Sequence, residues 1–327
     1  LQHEKSIVDA RLSRYEVYYH LFPSRENGIN AWISIMRGCD KFCTFCIVPF
    51  TRGRERSRSA ESVVEEVSQA VDAGFVEVTL LGQNVNSYRH GKYRFPELLE
   101  AVATVPGVRR IRFTSPHPQD VDDDMLFVMR DHSNICKSLH LPLQAGADRI
   151  LKRMNRTYTR TEYLSLVGRI REILPGCAIT TDIIVGFPGE SRRAFEETLE
   201  VMERIKFDSA FTFKYSPRPG TKAAEYSDQV QEQEKQDRLE KLLTLQRKHT
   251  LLNNKREIGR ILKVLVEKES KMSSDEWAGR TDSNKWVVFP KGVAMAKQMV
   301  DVTITAARGV TLFGELTENP ELIRAVV

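Results

Sequence analysis

The sequence of 327 residues contains no run of about 18 apolar residues, so no segment predicts a membrane-spanning helix. Its first residues carry neither an apolar signal core nor an initiator Met, and we expect the chain to be the remainder of a longer protein. It has only five cysteines, three of them within eight positions, unlike a secreted disulfide framework. These absences favour a cytoplasmic protein without a membrane partner, and we expect a monomer.

The composition sets the broad class of protein. Hydrophobic residues make up 41% of the chain and charged residues 28%, as in ordinary globular proteins, and the length allows one large and one small domain. The net charge of +5 is compatible with a nucleic acid partner but does not require one.

From about residue 30 to 216, short apolar runs alternate with amphipathic segments. The runs are rich in β-branched and aromatic residues, as expected of strands buried on both faces; they are 32–36, 76–81, 109–114, 138–143, 179–185 and 210–215. Ser59 is a predicted helix N-cap, and Thr159 with Glu162 has the spacing of a capping box. The alternation predicts an α/β fold with a parallel sheet. Six strands are too few for a complete eight-stranded barrel, so a partial barrel and a doubly wound sheet both fit.

The C-terminal third has a different pattern. A polar segment at 228–254 with clustered leucines predicts a connecting helix. Short alternating runs at 258–267, 286–289, 300–305 and 311–316 then predict a small antiparallel β-barrel of about five strands. We therefore divide the chain into a linker at 1–29, an α/β core at 30–227, the helix at 228–255, the barrel at 256–320 and a tail at 321–327.

Cys39, Cys43 and Cys46 have the spacing CxxxCxxC and directly follow the first predicted strand. They are expected on a loop at a strand's carboxyl end, where parallel sheets place their chemistry. Iron–sulfur clusters are normally held by four cysteines, so three thiolates leave one iron of a [4Fe–4S] cluster without a protein ligand. S-adenosylmethionine (SAM) can bind there through its amino and carboxylate groups, and one electron from the cluster then splits a carbon–sulfur bond.

The alternative for this loop is a structural zinc in a non-enzymatic RNA-binding module. Zinc takes four tetrahedral ligands, and no Cys or His occurs in the forty residues after Cys46, so the spacing favours the cluster. A simple electron carrier is disfavoured because it needs no large α/β domain. Cys136 and Cys177 stand alone and are predicted to be buried free thiols.

With Phe45 before the last cysteine, the motif CxxxCxΦC resembles that of the radical SAM superfamily. Other segments resemble its methylthiotransferase family: 31–35, 47–53, 80–88, 113–118, 139–146, 154–160, 181–190 and 215–221. Residues 279–286 resemble the family's RNA-binding TRAM domain. The resemblance covers about residues 30–318 and implies a radical SAM partial (β/α)6 barrel with a small C-terminal antiparallel barrel.

The segment 82–86 resembles the branch that installs a methylthio group on the isopentenylated adenosine next to the tRNA anticodon. The resemblance implies a tRNA anticodon stem-loop as substrate and a flavodoxin- or ferredoxin-type electron donor. It also implies an auxiliary [4Fe–4S] cluster on a further N-terminal domain, so we expect this piece alone to cleave SAM without completing methylthiolation. The alternatives within the family are threonylcarbamoyl-adenosine in tRNA and a ribosomal protein. Asp40, next to a ligand, stands where many relatives have Asn.

Candidate cofactor-binding residues lie near the cysteine loop and the predicted strand ends: Phe45, Gln83, Asn84, Ser115, Gln144, Arg156 and Asp182. The superfamily commonly contacts the methionine amino group after the second strand, which here carries Gln83. For the residues at later strand ends, the alternative is an ordinary structural cap. Arg156 is a candidate to pair with the SAM carboxylate through its planar guanidinium, or it faces solvent.

Candidate RNA-binding residues form two basic groups. The first follows the cysteine loop and comprises Arg52, Arg54, Arg56 and Arg58; the second opens the predicted barrel and comprises Lys255, Arg256, Arg260 and Lys263. Phosphate contact is the expected role, with a solvated loop as the alternative for the first group. Trp277 and Trp286 are candidates for base stacking, and core packing is equally compatible with Trp286.

Overall fold

The computed structural model of the protein describes residues 28–317. The predicted linker lies outside these residues except for 28 and 29, as do residues 318–320 of the predicted barrel and the tail at 321–327. The α-helices of the described part are α1 (Val48–Arg52), α2 (Ala60–Asp72), α3 (Phe95–Ala103), α4 (Asp123–Asp131), α5 (Asp148–Arg153), α6 (Arg160–Ile173), α7 (Arg192–Ile205) and α8 (Glu232–Lys255).

The strands in the same part of the chain belong to the two predicted regions. Those of the α/β region are β1 (Asn30–Ser34), β2 (Met36–Arg37), β3 (Arg56–Ser57), β4 (Glu77–Leu81), β5 (Arg89–His90), β6 (Tyr93–Arg94), β7 (Arg110–Phe113), β8 (Ser138–His140), β9 (Ala178–Val185) and β10 (Ser209–Lys214). Those of the C-terminal region are β11 (Ile261–Glu269), β12 (Glu276–Thr281), β13 (Trp286–Pro290), β14 (Met299–Arg308) and β15 (Thr311–Leu316).

Six of the described strands form a parallel arrangement that follows chain order. β1 pairs with β4 and β4 with β7, while β8 pairs with β9 and β9 with β10, all in parallel. A parallel bridge between Ile111 and Ile135 joins the two halves, and the N–H of Ile111 donates to the carbonyl of Asn134 over 2.7 Å. The order never reverses, whereas a doubly wound sheet reverses at its switch point. This order confirms the predicted partial barrel.

The two faces of this sheet differ in burial. The outer face packs against helices, and its apolar side chains, such as Ile33 and Ile183, are fully buried. The inner face encloses a lumen and exposes aromatic side chains: Trp32 is 55%, Phe211 58% and Phe213 53% exposed. Our expectation of strands buried on both faces is therefore wrong for β1 and β10, whereas β4 and β7 are buried on both faces. Among the described strands β1 and β10 are the edges, so the lumen opens between them.

Side-chain caps fix where two of the helices begin. The Ser59 hydroxyl accepts the N–H of Ser62 over 3.2 Å at the start of α2. At α6, the Thr159 hydroxyl accepts the N–H of Glu162, whose carboxylate accepts the N–H of Thr159 over 2.7 Å. Both predicted caps are confirmed. Arg156 lies three residues before the Thr159 cap.

The C-terminal region is a closed five-stranded barrel. Its strand order is β11-β12-β13-β15-β14, and the predicted connecting helix is α8, which packs along β10 and α7. β12 lies outside the predicted strands. Within residues 28–317, none of the helices combines the length and apolar character that a membrane span requires.

This barrel docks on the amino ends of β4 and β7 through buried charges. Glu77 is fully buried; Arg112 Nε lies 3.1 Å from one of its carboxylate oxygens and Arg280 Nη2 lies 3.1 Å from the other. Arg112 Nη2 also donates to the carbonyl of Thr281 over 2.7 Å. Removing one partner of a buried ion pair costs about 3–5 kcal/mol, so these contacts hold the barrel against the underside of the sheet.

Candidate metal and cofactor site

The three clustered cysteines lie on the loop between β2 and α1. Their thiols are free and half-buried. The N–H of Cys46 donates to the carbonyl of Cys43 over 3.0 Å, which closes a tight turn between the two. The hydroxyl of Thr44 donates to the carbonyl of Arg153 over 2.8 Å and ties the loop to the end of α5. The loop is therefore held at the carboxyl edge of the sheet, as predicted.

Gly38 allows the loop to leave β2. Its φ is +85°, and a Cβ there would lie 2.1 Å from the carbonyl oxygen of Arg54, so no other residue fits this turn. The N–H of Gly38 donates to Oε1 of Gln83 over 2.6 Å. Gln83, predicted as a cofactor contact, thus already braces the loop from the end of β4.

The electrostatics of the loop suit a metal cluster. Burial raises the pKa of the Cys39 thiol to about 11, and the neighbouring Cys43 and Cys46 oppose its ionisation further. Burial also raises the pKa of Cys46. Metal binding requires thiolates, so bound irons would supply the positive charge that these crowded thiols lack. Among residues 28–317 no three Cys, His, Asp or Glu converge on a single ion; a cubane instead places each cysteine on its own iron.

Arg156 is buried beside the loop. Its Nη1 donates to Sγ of Cys43 over 3.5 Å, its Nη2 to the carbonyl of Pro142 over 2.8 Å, and its Nε to the Tyr158 hydroxyl over 2.9 Å. The alternative of a solvent-facing arginine is therefore wrong. Its guanidinium touches a candidate cluster ligand, and contact with a SAM carboxylate stays a prediction.

Gln144 and Ser115 occupy unusual backbone positions at strand ends. Gln144 has φ +69° and Ser115 has φ +56°, backbone conformations that residues other than glycine adopt rarely. Among residues 28–317 no group donates a hydrogen bond to the buried Oε1 of Gln144, so this acceptor is available to a ligand. Both residues remain candidates to line the cofactor cavity.

The other predicted cofactor residues differ in what they can do. The Asp182 carboxylate lies 3.3 Å from Nε2 of His140 and faces the lumen. The Phe45 ring packs edge-on against Phe187, which fixes the turn before Cys46. Asn84 is buried with its amide bonded to Asp120 and to the backbone of residue 117, so the structure assigns it a scaffolding role and we do not keep it as a cofactor contact.

The first basic group is divided by burial. Arg52 and Arg54 are exposed, and Arg54 pairs with Asp40 over 2.6 Å. Arg56 is half-buried, and its Nη2 donates to the carbonyl of Arg52. Arg58 is buried, and its Nη1 lies 2.5 Å from the Glu66 carboxylate, so its predicted RNA-binding role is corrected to a structural one.

The second basic group lies where α8 enters the C-terminal barrel. All four side chains are exposed: Lys255, Arg256, Arg260 and Lys263. Trp286 is half-buried against two cations, Lys268 Nζ at 4.6 Å and Arg280 at 5.5 Å from its ring. Trp277 is half-buried as well and donates from Nε1 to the carbonyl of Ala294 over 2.9 Å. The rings therefore have intramolecular partners already.

His140 and Glu55 lie in or beside the site but are not among the predicted site residues. His140 Nδ1 lies 2.9 Å from Thr180 Oγ1, so it is held in the lumen between two strands. Glu55 accepts from the Ser87 hydroxyl over 2.8 Å and so joins the basic segment to the loop after β4. Glu55 is the one acid among four arginines, and this isolated position could have marked it as a structural contact. Strand alternation could have placed His140 on the face of β8 that points into the lumen.

The fold and the three-cysteine loop define an iron–sulfur protein of the partial-barrel class. Residues 33–202 match the description "Radical SAM superfamily" and residues 255–317 match "TRAM domain". A solved structure of TsrM, a radical S-adenosylmethionine methyltransferase from Kitasatospora setae with cobalamin and a [4Fe-4S] cluster bound, matches with a TM-score of 0.51. The match has 16% identity and covers 60% of this chain and 39% of that one, so it supports the fold alone.

Similarity in sequence extends along nearly the whole chain. It is 48% identical over 326 residues to the tRNA-2-methylthio-N(6)-dimethylallyladenosine synthase of Porphyromonas gingivalis, covering 98% of this chain and 70% of that protein. It is 44% identical over 318 residues to the synthase of the same name from Acetivibrio thermocellus, covering 96% and 66%. The chain therefore belongs to the radical SAM superfamily and, within it, to the methylthiotransferase family of these relatives.

Proposed function

We propose that this chain is the SAM-cleaving and RNA-binding part of a tRNA methylthiotransferase acting on the isopentenylated adenosine next to the anticodon. Relatives of 44 to 48% identity carry the name of that synthase, which supports the substrate. One observation carries the chemistry: three half-buried thiols of one loop lie at the carboxyl edge of an open parallel barrel.

The loop residues fit a [4Fe–4S] cluster whose three protein ligands are Cys39, Cys43 and Cys46. When bound, the cluster and SAM supply a 5′-deoxyadenosyl radical by one-electron cleavage of a carbon–sulfur bond. The protein's part is to hold and shield this chemistry. Gln83 braces the loop through Gly38, and Arg156 holds a positive charge against Cys43.

Three groups at the strand ends are placed to bind SAM. The partnerless Oε1 of Gln144 offers an acceptor, which suits an amino or hydroxyl group of the cofactor. Asp182 lies next to it on β9, since the N–H of Gln144 donates to the Asp182 carbonyl over 2.8 Å, and Ser115 follows β7 and lines the lumen. Fixed hydrogen-bonding partners of this kind orient a ligand without later rearrangement.

The basic residues support an RNA partner. Arg52, Arg54 and Arg56 lie beside the cluster loop, and the exposed group from Lys255 to Lys263 lies on the TRAM side. A base in an anticodon loop must be splayed out to reach a shielded radical. We propose that phosphate contacts at these two places hold the stem-loop, in a monomeric, cytoplasmic enzyme that receives electrons from a flavodoxin or ferredoxin.

The chain spans 66 to 70% of the length of these two relatives. We propose that the auxiliary [4Fe–4S] cluster expected of the family is held by residues outside these 327. The 327-residue chain should then form 5′-deoxyadenosine but no methylthiolated RNA, while the full-length protein makes both.

Anaerobic reconstitution with iron and sulfide, followed by SAM and dithionite, tests the proposal. We expect about four irons per loop and 5′-deoxyadenosine formation. Cys43→Ala should abolish that product, and Cys136→Ala, which removes a thiol away from the loop, should keep it. Stoichiometric zinc without iron, or an iron-loaded protein that leaves SAM intact, would contradict it. Full-length protein assayed on RNA with isopentenyl- or threonylcarbamoyl-adenosine, and on ribosomal protein, identifies the substrate.

A further inference from the structure

Asn155 stands at the end of α5, in a backbone position where glycine is the usual residue. Its φ is +60°, and it directly follows the C-cap residue Met154. The N–H of Asn155 donates to the Lys152 carbonyl over 3.1 Å, and the next N–H along the chain donates to the Leu151 carbonyl over 2.8 Å. This pair of bonds ends many helices, and its left-handed residue is most often glycine because glycine adopts a positive φ without strain. The end of the helix therefore does not explain why this residue carries an amide.

The side chain of Asn155 reaches the loop that carries the candidate cluster ligands. Its Nδ2 donates to the carbonyl of Lys41 over 3.1 Å and to the carbonyl of Phe42 over 3.0 Å. These two residues directly precede Cys43 and lie 114 and 113 positions from Asn155 in the sequence. A side-chain amide has two N–H donors, so one planar group holds two consecutive peptide groups in one orientation.

Neighbours of Asn155 hold the next residues of the same loop. The N–H of Thr44 donates to the carbonyl of Met154 over 3.0 Å. Arg156 contacts the sulfur of Cys43, as described above. The segment that follows α5 therefore contacts each of the four loop residues at 41–44, and Asn155 accounts for the first two of them.

The two bonds from Asn155 determine where the N–H groups of the loop point. A trans peptide group is planar, so its N–H points opposite to its carbonyl. Because the carbonyls of Lys41 and Phe42 face Asn155, the N–H groups of Phe42 and Cys43 point away from it. Phe42 has φ +48°. A left-handed residue in a turn brings successive N–H groups to one side, where they form a concavity that binds anions, iron–sulfur clusters among them.

A third N–H of this turn already contacts a ligand sulfur. Burial raises the pKa of the Cys39 thiol, and a hydrogen bond from the N–H of Lys41 to this sulfur opposes the rise. Hydrogen bonds to the sulfurs are among the factors that set the reduction potential of an iron–sulfur cluster. The orientation of this turn is therefore tied to the chemistry of the loop.

We propose that Asn155 is a positioning residue whose amide holds the backbone N–H groups of residues 41–43 towards the sulfurs of the cluster. These donors stabilise the more negative, reduced form, so Asn155 raises the reduction potential. It acts through the backbone of the loop. The inference rests on the proposed function, because it requires a cluster on Cys39, Cys43 and Cys46.

Asn155→Gly separates the amide from the end of the helix, because glycine keeps the left-handed backbone and removes only the side chain. The 327-residue chain is reconstituted anaerobically with iron and sulfide and titrated by electron paramagnetic resonance. We expect the variant to keep the thermal stability of the wild type and to bind iron. Its equilibrium between oxidised and reduced cluster should shift about fivefold towards the oxidised form, a fall of roughly 40 mV for a one-electron couple.

Asn284→Gly is the matched control. Asn284 also has a left-handed backbone, with φ +64°, but it lies in the turn between β12 and β13 of the TRAM barrel. The substitution therefore removes an amide from the same backbone conformation away from the cysteine loop. The reduction potential of this variant should equal that of the wild type.

The outcomes distinguish the proposed role from a purely structural one. If Asn155→Gly folds, binds iron and keeps the wild-type potential, the amide does not position the loop and the inference fails. If this variant binds no iron, pulsed electron paramagnetic resonance of the reduced wild type decides. In protein whose phenylalanines carry a heavy nitrogen isotope, a labelled nitrogen coupled to the cluster should disappear in Phe42→Leu. A coupling that is absent, or unchanged in Phe42→Leu, would overturn the inference.

Failure of the proposed function gives a different result. A wild type that binds no iron would overturn the proposed function and this inference with it. An iron-loaded wild type that leaves SAM intact would contradict the proposed function alone, because the potential of Asn155→Gly would still decide the role of the amide.

Discussion

Arg156 is buried and donates from Nη1 to Sγ of Cys43, a cysteine of the candidate cluster loop, across 3.5 Å. The rest of the guanidinium is bonded to Pro142 and Tyr158, so its orientation is fixed by the barrel wall. A cationic donor held against a ligand sulfur stabilises added negative charge on a cluster. Arg156 is therefore a positioning residue for the chemistry of the loop.

Replacing Arg156 by Met should lower the reduction potential of the cluster. The variant removes both the positive charge and the N–H donor at Cys43, so the more negative, reduced form loses stabilisation. We expect a fall on the order of 60 mV, a tenfold change in a one-electron equilibrium, in an anaerobic titration followed by electron paramagnetic resonance. Arg160→Met, which removes a cation paired with Glu200, is the matched control and should leave the potential unchanged.

Gly38→Ala should prevent the loop from holding iron. Its Cβ would collide with the Arg54 carbonyl, at a φ that alanine avoids. We expect iron content near zero after reconstitution. Gly168→Ala provides the control, because a Cβ there meets nothing within 4 Å and alanine favours the helix. A Gly38→Ala protein that still binds iron would contradict this prediction, because the loop could then hold the cluster with a different backbone conformation at residue 38.

Arg58→Ala should destabilise the fold, whereas Arg54→Ala should weaken RNA binding. Arg58 neutralises the buried Glu66, and its loss should cost about 3–5 kcal/mol in the free energy of unfolding, measured by urea titration. Arg54 is exposed, so its loss should leave stability almost unchanged but reduce the slope of log affinity against log salt by about one. Equal effects of the two variants on RNA affinity in folded protein would contradict this division.

His117 should make stability fall in mild acid. Burial, with help from Arg156 and Lys41, lowers the pKa of His117 to about 2, while the unfolded chain takes up a proton near pH 6.5. The stabilising contribution is therefore complete above about pH 6.5 and is lost as pH falls below it, by up to about 1.4 kcal/mol per pH unit. Urea titrations between about pH 7 and pH 5 should show this slope.

The control for this titration is His117→Asn. In the wild type the Gln119 N–H donates a hydrogen bond to Nδ1 of His117, and the amide oxygen of asparagine keeps an acceptor near that N–H. The difference in slope between the two proteins isolates the histidine from other titrating groups. Identical slopes would mean that His117 is protonated in the folded protein as well.

Local signals in the sequence were sufficient for the cysteine loop and the helix caps. Cys39, Cys43 and Cys46 lie within eight consecutive residues, and the capping box of Thr159 and Glu162 depends on two residues three positions apart. The alternation of strands and helices left two topologies open, because strand order depends on contacts such as Ile111 with Ile135 that no local pattern encodes.

Local sequence patterns did not predict which residues of a run are buried. Arg54 and Arg58 occur in one basic run, yet one is exposed and the other is enclosed by α2. Trp32 and Phe211 were predicted to be buried strand residues. The run of apolar residues in each strand does not show which face of the sheet points into an open lumen. The Glu77–Arg280 contact joins residues of two domains and has no signal in either segment alone.

The docking of the TRAM barrel beneath the sheet also sets a length scale. The cysteine loop lies at the carboxyl edge of the strands and that barrel at the amino ends of β4 and β7, and β4, with five residues, extends about 17 Å. A nucleic acid that touches both ends must bridge this height, which a lone nucleoside cannot do. The distance between the cysteine loop and the TRAM barrel would therefore select for substrate size. Only a nucleic acid as large as a hairpin could contact the TRAM barrel through its phosphate backbone while its base reacts near the cysteine loop.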